Sequence, residues 1–136
     1  MTALSADRNT PERSGGRRRI AVAAATVIYA GAMVAVNVAG NAVPVTTALN
    51  LKGVGRAERR ADNAGGAAGD VSVEVSAGIF RFANSAAGDA ITQADIGSDC
   101  YGVDDQTVAK TSATNTRSVV GKIFDVDAQG VWVKFS

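Results

Sequence analysis

Eighteen valines and six isoleucines stand against only three leucines in this chain of 136 residues. Leucine dominates helical cores, whereas β-branched side chains are stiff at χ1 and pack well on a pleated surface. The imbalance therefore predicts a mostly β protein. The chain has room for one domain, and one hydrophobic core is the expectation. Hydrophobic residues are 46% and charged residues 20%, near the globular average, which argues against wholesale disorder and against a multi-span membrane protein.

Histidine is absent. That removes the commonest general base, the commonest metal ligand and every Ser/His or Cys/His nucleophile pairing. A single cysteine, Cys100, has no partner for an internal disulfide and is expected to be a small buried side chain. Assembly in a reducing compartment follows as an expectation.

Charge is unevenly spread. Residues 1–19 carry Arg8, Arg13, Arg17, Arg18 and Arg19 against Asp7 and Glu12, a net +3, and the remainder is −2. With few apolar residues, Pro11 and the pair Gly15 and Gly16, this segment reads as an extended basic arm. Residues 20–136 are then the folded domain, which should survive deletion of 1–19. Arg17, Arg18 and Arg19 form one short run without interleaved aromatics, a poor nucleic-acid footprint. A basic arm docking on an acidic protein surface fits better.

Residues 20–51 contain no charge, and three arginines precede them, so residues 17–42 invite reading as a signal or anchor segment of an exported envelope protein. Alanine supplies seven of the nineteen residues from Ile20 to Val38, and no leucine occurs there. The Val and Ile positions fit short strands instead, TVIYA, AMVAVNV and AVPVT, turning at Gly31 and Gly40-Asn41. No membrane association is expected.

Farther along, Val71, Val73 and Val75 alternate with polar residues, the period of a half-buried strand. IFRFAN puts Phe80 and Phe82 on one face and Arg81 on the other. Residues 63–70 read as a loop, 91–97 as a turn or single helical turn, and CYGVDD and TVAKT as two strands around Asp104 and Asp105. SVVGKIFDVD and GVWVKF form a closing hairpin with Val131, Val133 and Phe135 facing one way and Trp132 and Lys134 the other. Eight to ten short strands at these spacings predict an all-β barrel or sandwich.

Several motifs carry less than they suggest. Asp125-Val126-Asp127-Ala128-Gln129-Gly130 opens like a calcium loop, but position 12 falls on Ser136 and the flanks are strand. A hairpin turn is expected. Gly53-Val54-Gly55 and Gly65-Gly66 lack the Lys-Ser/Thr of a phosphate loop and read as turns or bulges. Asp99, Asp104 and Asp105 read as solvated turn residues, and Glu58, Arg59 and Arg60 as an exposed ion-pair patch. Arg81 and Trp132 are candidates for a subunit contact. No catalytic, cofactor-binding or metal-ligating set is expected, and no enzyme.

The residues from Ile28 to Asn37 and from Gly40 to Pro44 resemble the opening of bacteriophage capsid cement, or head decoration, proteins. The likeness continues through Gly55-Arg56-Ala57, residues 62–66, residues 73–82, Cys100 to Asp105, Asp125-Val126-Asp127 and Val131-Trp132-Val133. It implies a small β-barrel, β-tulip-like, with an N-terminal arm. It also implies a homotrimer on the outer surface of the mature head, assembled in the host cytoplasm, that bridges neighbouring major capsid protein subunits. No nucleic acid, membrane or cofactor enters that expectation. A head fibre or tail component with the same barrel is the neighbouring structural alternative.

Overall fold

The computed structural model describes residues 2–11, 13 and 15–135. Among them the regular structure is all-β, as the valine-rich composition predicts, with no α-helix. The strands are β1 (Arg17–Ala21), β2 (Thr26–Ile28), β3 (Met33–Val36), β4 (Ala42–Pro44), β5 (Lys52–Ala57), β6 (Ala61–Asn63), β7 (Ser72–Ser76), β8 (Ile79–Phe82), β9 (Asp99–Gly102), β10 (Val108–Ala109), β11 (Val119–Asp127) and β12 (Gly130–Lys134). Two single 3-10 turns, Ala87–Asp89 and Gln93–Asp95, fall between β8 and β9.

Three sheets result, with orders β1-β7-β5-β3-β4, β10-β9-β11-β12-β8 and β2-β6. Every ladder is antiparallel. None of the three closes into the expected barrel. Each large sheet curls until its outer strands approach, but contact is limited to one isolated parallel bridge. Val22, just after β1, meets Ala42 of β4, and Ala83, just after β8, meets Thr107 ahead of β10. The edges are too short to continue the pairing: β10 has two residues, and β4 has three and ends on Pro44, which has no N–H to donate.

Two hydrophobic clusters replace the single core expected. One gathers Met33, Ala35, Cys100, Val120, Ile123, Val131, Val133 and Phe135. The other gathers Val22, Ile28, Val34, Ala42, Val54, Val73 and Val75. Strand β3 serves both, because successive side chains point to opposite faces: Met33 and Ala35 enter the first cluster and Val34 the second. A strand buried on both faces needs an unbroken apolar sequence. That accounts for the unbroken apolar run Ala32–Val36 within the uncharged stretch. Cleavage after residue 42 would remove strands β1 to β3 from both cores, and no helix among the described residues is long and apolar enough to cross a membrane.

The two large sheets touch where β5 crosses β11. Gly53 and Gly55, expected in turns or bulges, lie inside β5. A Cβ on Gly53 would stand 2.1 Å from the carbonyl oxygen of Val120, and one on Gly55 would stand 2.0 Å from that of Ser76. The register of β3 against β5 slips here, with Val34 opposite Gly55 and Ala35 opposite Gly53, so Val54 is the extra residue of a bulge. The guanidinium of Arg56 then lies 4.2 Å above the Phe80 ring, tying β5 to β8 of the other sheet.

Candidate functional site

The arginine run does not belong to an arm. Arg17, Arg18 and Arg19 are the first three residues of β1, paired with Ser76, Val75 and Glu74 of β7. The folded part thus begins before residue 20. Arg8 and Arg13 are exposed, as are the other described residues ahead of β1, and none of these lies in a helix or strand.

Strand β1 is the outer strand of its sheet. Cross-strand neighbours share a face, so Arg18 and Ile20 stand with buried Val75 and Val73, while Arg17, Arg19 and Ala21 stand with Ser76, Glu74 and Ser72 on the outer face. Ile20 is half-buried against the second cluster, whereas Arg18, beside it on the same face, is exposed. On the outer face Arg17 reaches Glu74 at 3.3 Å and Glu58 at 3.7 Å, and Arg56 reaches Glu58 at 2.8 Å. A hollow of about 260 Å³ beside them is lined by Arg19, Arg59, Arg60, Ser72 and Glu74. Arg60 approaches Asp62 at 3.8 Å and lies 5.4 Å from the Tyr29 ring centre.

Hydrogen bonds from Arg56 and Ser76, reinforced by the charges of Arg56 and Arg17, hold the Glu58 carboxyl below its ordinary value near 4.5. A carboxylate with a lowered folded-state pKa stabilises the fold above its unfolded pKa and loses that contribution as pH falls through the folded value. Glu58→Gln is therefore expected to lose up to about 1 kcal/mol near neutral pH, small because Arg17 and Arg56 are well solvated. The difference from the parent should shrink as pH falls below 4.5, which urea titrations in neutral and acidic buffer will read.

Arg81 and Trp132, far apart in sequence, are cross-strand partners on the outer face of β8 and β12. The guanidinium lies 5.7 Å from the indole centre and donates to Gln129 Oε1 at 2.8 Å. Trp132 Nε1 donates to Asp127 Oδ2 at 3.0 Å. The Trp132 hydrogen bond, with those from the Gln129 and Gly130 amides, holds the Asp127 carboxyl below its usual range. Asp127 is thus committed to closing the β11–β12 hairpin, the role expected for that motif. Phe124, exposed at the bulge between Ile123 and Asp125, stands on the same hairpin.

Asp99, expected in a turn like Asp104 and Asp105, instead opens strand β9. Asp99 pairs with Lys122, Asp104 accepts the Gln106 amide at 2.9 Å, and the Asp105 carbonyl accepts the Met33 amide at 2.8 Å. Among the described residues no group of three His, Cys, Asp or Glu side chains is placed to hold a metal ion. Cys100 is fully buried, and desolvation pushes its thiol up to about 12, far from a reactive thiolate.

Two features gave no signal in the sequence. Arg59 and Arg60 join Arg19 around the hollow only because β7 folds back between β1 and β5. Ala113, Thr114 and Asn115 form a left-handed turn (φ 49°, 60° and 60°), anchored where Arg117 reaches Asp89 at 3.3 Å. Comparison with known proteins finds no matching family model, no matching curated protein and no matching solved structure.

Proposed function

We propose that this chain is a structural protein of a phage virion: a homotrimer on the outer surface of the mature head that cements neighbouring major capsid protein subunits and is assembled in the host cytoplasm. The observation that supports this reading most directly is where the chemistry sits. The arginines stand on an open strand edge that runs back into exposed residues outside any element, whereas the one thiol is sealed in a core. A surface of that kind recognises protein through main-chain pairing and charge.

The segments that resemble head decoration proteins supply the shared strand β3 and its neighbour β4, the Gly55 bulge, and the β8 and β12 strands that bring Arg81 onto Trp132. In this reading the two curled sheets take the place of a closed barrel. Three copies around an axis multiply weak contacts, so attachment can be firm without any single strong site. Arg81 and Trp132, already locked to each other, are the proposed subunit contact, and Arg8, Arg13, Arg17, Arg18 and Arg19 face the capsid.

Cryo-electron microscopy of expanded heads mixed with the purified chain tests the proposal. Density at three-fold and quasi-three-fold positions is expected. Failure to bind expanded heads overturns it, and density at vertices or on the tail supports a head fibre or tail component instead.

A further inference from the structure

The hydrogen-bond parity of β1 defines which of its backbone groups are free. Val22 N–H donates to Val71 O and Ala77 N–H donates to Gly16 O, each at 2.9 Å. In an antiparallel ladder bonded pairs alternate, so Gly16, Arg18, Ile20 and Val22 face β7. Arg17, Arg19 and Ala21 therefore direct their N–H and C=O groups away from it. Among the described residues no second strand pairs with β1 at Arg17 or Arg19, whereas the parallel bridge of Val22 with Ala42 engages the Ala21 C=O and leaves its N–H on the open edge. The opening ends at Ala21, where strand β4 comes alongside and the Ala23 N–H donates to Ala42 O at 3.0 Å. An unpaired edge of this length accepts another strand unless it is blunted.

Charge decides what it accepts. Among the described residues Arg18, Arg19 and Arg59 have no carboxylate within 4.0 Å, whereas Arg17, Arg56 and Arg60 do. The unmatched cations lie on both faces of the edge: Arg18 on the inner side, Arg19 and Arg59 in the outer hollow. A second copy's β1 would bring the same arginines into register and is repelled. An acidic strand meets complementary charge on both faces.

We propose that the open edge of β1 receives an extended acidic segment as a sixth strand of the sheet. Its main chain pairs with Arg17, Arg19 and the Ala21 N–H, and its alternate carboxylates meet Arg19 and Arg59 in the hollow. The inference names a partner's chemistry only and holds whether or not that partner is a capsid protein.

The test uses the full chain in solution with a capped heptapeptide of alternating glutamate and valine as probe. In the free protein the amides of Arg17, Arg19 and Ala21 should exchange with solvent rapidly, and those of Arg18 and Ile20 slowly. Saturating peptide should slow the first set at least tenfold. A glutamine-for-glutamate peptide at the same concentration should not, and Arg19→Gln with Arg59→Gln should weaken the glutamate peptide at least tenfold. Both arginines are exposed, so the parent exchange pattern elsewhere confirms the variant's fold. A peptide N-methylated throughout keeps its charges and loses its donors, and should give no slowing. Equal slowing by the glutamine peptide, slowing that survives methylation, or protection confined to another surface overturns the proposal. None of these outcomes bears on head binding, which the microscopy reads separately.

Discussion

Gly53→Ala is expected to be among the most damaging single substitutions in this protein, costing about 3 kcal/mol or more. The added methyl would lie 2.1 Å from the Val120 oxygen and 2.7 Å from both its carbonyl carbon and its Cα. These are backbone atoms of β11, which is held on both sides by β9 and β12. No rotamer change relieves the clash, so β5 and β11 must separate, opening the seam between the two large sheets. A fall in melting temperature of roughly 10 °C or more is the expected reading for a chain of this size. Gly65→Ala is the matched control, because nothing lies within 4 Å of its Cβ position. It should stay within about 0.5 kcal/mol of the parent. If Gly53→Ala melts like the control, the sheets do not meet at Val120.

The second large effect separates the exposed N-terminal residues from the strand that follows them. Removing residues 1–15 keeps Gly16, whose carbonyl accepts the Ala77 amide, and should shift the melting temperature by no more than about 2 °C. Removing residues 1–21 takes away all of β1. Val73 and Val75, now 1% and 0% exposed, lose their cover, Ile20 no longer packs on the second cluster, and β7 becomes an edge with unpaired amides. Burial of one such side chain is worth about 1.5–3 kcal/mol and each hydrogen bond about 1 kcal/mol, so a loss of about 4 kcal/mol or more is expected. That is a large share of the ~5–15 kcal/mol that holds a typical domain together. Thermal melts of the two truncations decide it. Near-identical melting of both would return β1 to the arm that the arginine run suggested.

Composition and local pattern determined much of this protein. The Val and Ile excess gave strands, and the alternation at Val71, Val73 and Val75 and in the β12 strand gave their buried faces. The hairpin at Asp127 and the turn near residue 93 were equally local. Each depends on neighbours a few residues away, so the pattern is visible in the chain itself.

What depends on partners distant in sequence was decided only by the tertiary structure. The segment RRRIA looks like a polar arm until Ser72–Ser76 lies beside it, because a strand with three arginines is stabilised by its neighbour and not by propensity. Gly53 and Gly55 read as a turn or a bulge alike until the carbonyls of Val120 and Ser76 show why no side chain fits there. Whether the sheets close depends on the geometry of edges that meet at single bridges, Val22 with Ala42 and Ala83 with Thr107, and no local pattern encodes it. The uncharged stretch from residue 20 to 51 has one composition and two readings, a membrane segment or a series of short strands. Placing β3 between two cores chooses the second, since each of its faces then has apolar side chains to meet.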